Sequence, residues 1–556
     1  MKVCALLFMV ILLLFSCKKV NNNSTPDKEI LIDSVLINNI FVLNEGTVDK
    51  VDFSKVVVKI KFKSKVDTAL FKKSRLFFTG DIDTSYSYKF DKGSSTLSVV
   101  PGKQIKALTS YRMVMDVGSN LGGMFKGGFS FKFVTRIDTL PKFPVISDDS
   151  LLTLVQKQTF RYFWDYAHPV SGLARERLRS GEVVTTGGSG FGLMAIIVGI
   201  KRNFITRQEG FERLRKVADF LVNPATDKFH GAYPHWLNGA TGKVYPFSSK
   251  DDGGDLVETA FLMQGLLTVR EYFKNGSPDE KSLCDTIRKI WENVDWSWYR
   301  KNGQNKLYWH WSPKYEWDIN MPVSGWNEAL IVYILAASSP AHSITRNVYD
   351  EGWARNGAYP MKNGKSFYSI QLPLGEDYGG PLFFSHYSFL GLDPRKVSDQ
   401  YANYWEQNLA HSRINYEYCK ANPKKQSGYS SECWGLTASD IQNGYSASSP
   451  KNDLGVIAPT AALSSFPYTP TESMKALKFF YYILGDKMWG EYGFYDAFNL
   501  SSLWFADSYI AIDQGPVICM IENYRSGFLW DLFMKCTEVQ NGLIKLGFEI
   551  SSPPKL

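Results

Sequence analysis

The hydrophobic period changes once along this chain, and that change limits the folds open to it. Val56, Val58, Ile60 and Phe62 alternate with Lys55, Lys59, Lys61 and Lys63, the period-two pattern of a strand with one wet face. Segments of the same kind follow at "STLSVVPG", "SYRMVMDVG" and "GGFSFKFVTRI", each bounded by Gly, Pro, Ser or Asn. Residues 30–138 are therefore expected to form a small all-β, Ig-like sandwich. After "DTLPKFPVISDD" (138–149), a Pro-bearing segment whose residues 139–149 are expected as linker, the period becomes helical. "LLTLVQKQTFRYFWDYA" (151–167) is amphipathic, with Asp149 or Ser150 as N-cap. Helical runs continue near 190–201, 206–223, 252–273, 279–294, 325–338, 344–355, 380–390, 396–411, 456–464, 470–484 and 502–531, the last broken at "DQGP" (513–516). Long aromatic loops separate them, and no repeat of roughly 20–50 residues marks a solenoid. The expected fold class is mainly α, an (α/α)6 toroid over 150–550 preceded by the small sandwich.

The net charge of +8 sits in the front part, where residues 1–138 hold 21 Lys and Arg against 12 Asp and Glu. The larger part is close to neutral, which argues against nucleic acid as a partner. At the N-terminus, Lys2 precedes the apolar run "ALLFMVILLLF" (5–15), which leads into "LFSC" ending at Cys17. This resembles a bacterial lipobox: residues 1–16 are expected to be a lipoprotein signal peptide, Cys17 the lipidated residue and 17–29 a polar tether. The only membrane contact expected is through that lipid anchor, at the bacterial cell envelope. The remaining cysteines, Cys284, Cys419, Cys433, Cys519 and Cys536, are scattered and odd in number; they form no zinc-ligand spacing, and either one Cys419–Cys433 bridge or buried free thiols fit them.

Aromatic residues make up 15% of the chain, with 15 Trp and 30 Tyr, more than a core requires; flat rings with polar edges suit sugar-binding clefts. "TTGGSGFGLMAI" (185–196) contains G-x-G-x-x-A, but a dinucleotide site needs a strand before it and an acid ending a second strand about 20 residues on. Here that region reads "FITRQEGFERLRKVADFL", a helix, so a nucleotide is disfavoured and no cofactor is expected. In "KDDGGDLVETAFLMQGLL" (250–267), Asp251, Asp255 and Glu258 would share a helix face, where like charges repel. Macrodipole and capping account for one or two of these acids but not for Glu258, two turns in. No EF-hand-type loop accompanies them, and no metal is expected. A further acid, Glu328, follows Trp326 at the start of an apolar helix; it reads either as a capping glutamate after Gly325 or as a proton donor raised toward neutrality by its surroundings. Glu376, Asp377 and Asp513 are turn acids or site acids.

"TTGGSGFGLMAIIVGIKRNFITRQEG", "DDGGDLVETAFLMQGLL", "SGWNEALIVYILAASSP", "GEDYGGPLFFSHYSFLGLDPR", "ECWGLTASD", "NDLGVIAPTAALSSFPYTP" and "IDQGPVICMIENYRSG" together resemble the glycoamylase-like domain of glycoside hydrolase family 144, in order over about 150–550. The resemblance implies an (α/α)6 toroid and inverting hydrolysis of β-1,2-glucan, by an endo-acting glucanase or an exo-acting enzyme releasing sophorose. It places the catalytic acids at Asp251, Asp255, Glu258, Glu328 and Asp513, with Glu328 as the general acid. Phe191, Trp309, Trp311, Trp326, Glu376, Tyr378, His386 and Trp434 are the expected sugar contacts. The alternatives are a catalytically silent glycan-binding lipoprotein and an (α/α)6 enzyme acting on another polysaccharide.

Overall fold

The computed structural model describes residues 28–79, 82 and 85–551, so Cys17 and the expected leader lie outside the described residues. The chain divides into two compact units at Asp138/Thr139. In the first, the strands are β1 (Ile32–Ile37), β2 (Ile40–Val42), β3 (Thr47–Val51), β4 (Val58–Phe62), β5 (Leu76–Phe78), β6 (Tyr86–Phe90), β7 (Thr96–Pro101), β8 (Ser110–Met115), β9 (Gly118–Asn120), β10 (Gly123–Phe125) and β11 (Phe129–Thr135). One sheet has the order β2-β1-β4-β7-β6 and the other β3-β11-β8-β5. β4 buries Val58, Ile60 and Phe62 and exposes Lys59 and Lys61, as its alternation requires. Both sheets contribute to one apolar core, Val35, Val58 and Val99 from the first and Phe78, Met113 and Phe133 from the second.

The second unit is helical: α1 (Asp148–Trp164), α2 (Thr186–Lys201), α3 (Arg207–Val222), α4 (Leu256–Phe273), α5 (Pro278–Glu292), α6 (Leu330–Ser338), α7 (Tyr404–Ala421), α8 (Pro459–Leu463), α9 (Pro470–Lys478), α10 (Gly485–Met488), α11 (Ala511–Ser526), α12 (Phe528–Phe533) and α13 (Thr537–Leu546). Helices α2, α4 and α6 are buried almost all round, whereas α3 and α5 bury one stripe and start with reciprocal capping boxes, Thr206/Glu209 and Ser277/Glu280. An inner set of apolar helices is thus backed by an outer amphipathic set.

Several expectations shift. The Gly-rich segment is not a loop before a helix: Gly187, Gly188, Gly190 and Gly192 lie inside α2. They are there because α2 and α4 nearly touch: a Cβ on Gly190 would stand 2.2 Å from the Phe261 carbonyl oxygen, and one on Gly265 2.2 Å from that of Gly190. α1 is capped by Ser147 rather than by Asp149 or Ser150. "DQGP" does not break the late helix; α11 runs through Pro516 and stops at Gly527, whose φ is +66°. The 380–390 run forms two 3-10 turns, Leu382–Ser385 and Tyr387–Leu390, and the 344–355 run contains a π turn over Val348–Trp353. The 396–411 helix is displaced to α7, where Asn403 supplies the cap, and α13 has no counterpart in the sequence reading. Within the 139–149 linker, Phe143 stacks on Tyr481 at 4.6 Å, and the Ile146 N–H donates to Tyr482 Oη at 3.0 Å. Cys419 and Cys433 are free, buried thiols.

Gly190→Ala tests the helix contact. Alanine is intrinsically better in a helix by about 1 kcal/mol, but here its methyl must displace backbone. A net loss of about 3 kcal/mol is expected in denaturant unfolding followed by helical circular dichroism; an unchanged or increased stability would show that the helices are not in contact there.

Candidate active site

The acids of the 250–267 segment do not share a helix face. The backbone is extended at Gly254–Asp255, paired antiparallel with His310–Trp311, and α4 begins only at Leu256. Gly253 permits that approach, since a Cβ there would lie 2.0 Å from the Trp311 carbonyl oxygen. Asp255 is the N-cap of α4. Its Oδ1 accepts the N–H groups of Val257 and Glu258, each at 2.9 Å, and its Oδ2 accepts Trp309 Nε1 at 2.7 Å and His235 Nδ1 at 2.8 Å. All the accepting capacity of this fully buried carboxylate is taken, so it organises its neighbours and has none left for a sugar.

Glu258 reaches from the first turn of α4 into a cavity of about 520 Å³. Its Oε2 accepts the Gly187 N–H at 2.7 Å and faces the Thr185 hydroxyl at 3.4 Å. Burial raises its titration, and the neighbouring His235 charge opposes that rise. His235 also lines the cavity. Burial works against its charged form, but the carboxylates of Glu258, Asp255 and Asp251 outweigh that and lift it to about 9. Glu328 sits in the turn before α6, whose N-cap is Ala329, so it is not a capping glutamate. Its carboxyl opens on the same cavity. Walled in by protein on its other sides, it is pushed up to about 7 by burial, with added repulsion from Glu258 and Asp255.

The cavity walls are largely apolar, and its rim carries exposed side chains: Phe247 at 45%, Met321 at 55% and Tyr445 at 47% exposure. Phe247 stacks on His235 at 4.2 Å and stands edge-on to Trp236 at 4.9 Å. Arg177 lies on another wall, paired with Glu176 at 2.9 Å and Asp440 at 3.0 Å.

Asp251 and Asp513 do not line this cavity. Asp251 is 1% exposed, and its Oδ1 lies 3.2 Å from His310 Nε2. That nitrogen accepts the Gly253 N–H instead, leaving both Asp251 oxygens without a hydrogen-bond partner. Burial pushes Asp251 up to about 7, with repulsion from Asp255 adding to it. Asp513, in the first turn of α11, reaches the cavity through Tyr387, whose Oη donates to Asp513 Oδ1 at 3.2 Å.

Of the expected sugar-contacting rings, Trp309 lines the cavity and the others do not. Trp434 is fully buried, donating to the Glu472 carbonyl oxygen at 3.2 Å. Trp326 stacks on Tyr404 in the core. Phe191 is buried beneath Phe261 and Tyr387, each at 5.2 Å. Trp311 packs against Trp298 and His230. His386 is buried against Ser465 Oγ at 3.0 Å and forced down to about 3 by desolvation. Glu376 pairs with Lys451 at 2.9 Å, and Tyr378 packs on Phe367 at 4.3 Å. The sequence reading passed over His235, Trp236, Phe247, Arg177 and Tyr445. Tyr387 stood next to His386 in "FFSHY", and the 3-10 turn sends the tyrosine, not the histidine, to the cavity.

Among the described residues, the acidic and histidine atoms that could converge on an ion belong to His235, Asp251 and Asp255, within 4.8 Å of one another. Asp255 is already saturated by four donors, one of them His235 Nδ1, so the cluster is a hydrogen-bonded ion network rather than a preformed cage.

An apolar-walled cleft with aromatic edges, into which a carboxyl raised to about 7 opens, suits acid-assisted cleavage of a sugar linkage. The class of protein that this site defines is a glycoside hydrolase. The family model "Glycoamylase", described as "Putative glucoamylase", matches residues 320–537. An endo-β-1,2-glucanase from Chitinophaga pinensis, solved with sophorotriose and glucose, is 55% identical with a TM-score of 0.71, covering 73% of this chain and 99% of that one. A β-1,2-glucanase from Parabacteroides distasonis is 38% identical with a TM-score of 0.71, covering 94% of this chain and 74% of that one. A curated exo-β-1,2-glucooligosaccharide sophorohydrolase from Parabacteroides distasonis is 47% identical over 421 residues, which are 72% of this chain; the chain spans 58% of that relative's length. The chain belongs to glycoside hydrolase family 144, whose domain is glycoamylase-like.

Asp255→Asn keeps an oxygen for the α4 cap but removes the charge facing His235. The folded-state value of His235 stands above its ordinary 6.5, so the pair's contribution to stability is complete below about pH 6.5 and fades as pH rises through about 9. The variant is expected to be about 3 kcal/mol less stable at neutral pH, with the His235 ring titrating at least about one unit lower by NMR. An unshifted ring would contradict the ion network.

Proposed function

We propose that the protein hydrolyses β-1,2-linked glucan with inversion, using Glu328 as general acid and Asp513, through Tyr387, as general base. The observation that carries this reading is the position of Glu328: a carboxyl opening on the cavity and held up to about 7 by burial. It is therefore protonated at and below neutral pH and able to donate to a leaving glycosidic oxygen. The base must act from the opposite face of the sugar ring, with room for a water between. Glu258 and Asp255 are charged neighbours of Glu328. Asp255 has no free lone pair, and Glu258 is tied to Gly187; Glu258 accepts sugar hydroxyls in this reading. Asp513 is left, with Tyr387 passing the water's proton to it. Trp309, Trp236, Phe247 and Tyr445 offer faces and edges to pyranose rings. The relatives that act on β-1,2-glucan and its oligosaccharides support the substrate.

The architecture belongs to the same proposal. The inner and outer helices are read as an (α/α)6 toroid and the two-sheet unit as an Ig-like module. The leader and Cys17 are read as a lipid anchor that places the protein at the cell envelope, on the sequence alone.

Glu328→Gln is the test. Hydrolysis of linear β-1,2-glucan is expected to fall by about 10³-fold in kcat with KM little changed. In the unsubstituted protein the alkaline limb of the kcat profile is expected near pH 7, because the acid must be protonated. Thin-layer chromatography of the products separates exo action, sophorose alone, from endo action, a ladder. Near-full activity in the variant would remove Glu328 as the acid.

A further inference from the structure

Behind Tyr387 lies a second carboxyl, Asp496, which no sequence motif singles out. It follows the short strand Gly493–Phe494 and is 3% exposed; Asp513 is 1% exposed. Asp496 Oδ2 accepts the Asp440 N–H at 2.7 Å. Asp513 Oδ1 accepts Tyr387 Oη at 3.2 Å. The remaining oxygens, Asp496 Oδ1 and Asp513 Oδ2, are buried and find no N–H or hydroxyl donor. The two carboxyls are near enough for each to act on the other's titration. They border the same void of about 10 Å³, room for one water at most.

Two carboxylates cannot meet in such a place; one must carry a proton. Among the described residues the cation that acts on Asp496 is Arg177, and it is already committed to other acids. Asp440 is engaged by Arg177 and by the Ser508 hydroxyl, and Arg177 is shared with Glu176. Tyr387 and Tyr445 are the other titratable groups facing the pair, and Glu328 neighbours it only through Tyr387.

We propose that Asp496 is a positioning residue for the hydrolysis: with Asp513 it forms a carboxylic acid–carboxylate pair holding a single proton, which lets Asp513 receive another from the cavity. The inference rests on the reading of Asp513 as base. In the step, water attacks the anomeric carbon and its proton passes to Tyr387 Oη as Tyr387 gives its own to Asp513 Oδ1. The shared proton moves onto Asp496 Oδ1. Glu328 gives its proton to the leaving oxygen, so the pair gains one proton as Glu328 loses one, and solvent exchange restores both after product leaves. Burial holds both groups above the usual carboxylate range, with repulsion from Asp440 adding to it at Asp496, which stands at about 7, and repulsion from Asp496 adding to it at Asp513; both accord with a retained proton.

Asp496→Asn tests this. The amide keeps an oxygen for the Asp440 N–H and turns an N–H donor toward Asp513, so the fold is expected to persist, checked by circular dichroism. Asp513 then loses its like-charged neighbour and titrates lower. The acid limb of kcat/KM on β-1,2-glucan is expected to move down by about one pH unit or more, with kcat reduced and KM little changed. Infrared difference spectra of protein carrying ¹³C-labelled aspartate provide a readout that needs no substrate: at neutral pH the variant should lack one protonated-aspartate band present in the parent. If that band is unchanged, the pair holds no proton and the proposal is overturned. If the band is lost but the acid limb stays in place, the positioning role is overturned. Retained activity in Asp513→Asn would instead remove Asp513 as base, while the band would still report on the pair.

Discussion

Crowding carboxyl groups into a dry interior is the constraint on which the rest of this site depends. At one cavity and in the packing behind it the protein buries Asp251, Asp255, Glu258, Asp496 and Asp513 and half-buries Glu328, against His235 and Arg177 as nearby cations. Coulomb repulsion in low dielectric is severe, and each group resolves it differently. Asp255 is saturated by four N–H donors. Glu258 leans on a backbone N–H and on the imidazolium. Glu328 and Asp251 retain a proton near neutrality, and Asp496 shares one with Asp513. Acid and base roles are a by-product of that division, since a carboxyl that keeps its proton donates and one that has lost it accepts.

The division depends in turn on helix packing. Glycine at 187 and 190 brings α2 against α4, and the same absence of side chain at Gly187 puts its N–H 2.7 Å from Glu258. A β-carbon there would stand 2.6 Å from the carboxylate oxygen that the N–H now holds. Core packing and the electrostatics of the cavity thus use the same residues, which explains why a glycine run that imitates a nucleotide loop is found inside a helix.

Much of this was legible in the sequence. The alternation around Val58 and the helical periods after Leu151 announce a β unit followed by an α unit, because burial periodicity is a local property. The acids were visible because they interrupt apolar runs at cost. Their geometry was not: two glycines before Asp255 extend the backbone, so helical spacing did not apply to Asp251. Composition also misled on the rings. Trp434, Trp326 and Phe191 fill the core, since a large helical domain needs bulky interior side chains as much as a cleft needs platforms. Tyr387, Phe247 and Tyr445 lie in turns and loops whose direction is decided by tertiary packing, and Asp496 has no local pattern at all.

The central claim is that protons, rather than cations, neutralise Glu328 and the Asp496–Asp513 pair. Neutron diffraction from a deuterium-exchanged crystal of the helical unit with bound sophorose at neutral pD would test it most directly. The account predicts a deuteron on the Glu328 carboxyl and a single deuteron between Asp496 and Asp513. A bare carboxylate at Glu328, or a cation lodged between the two aspartates, would contradict it.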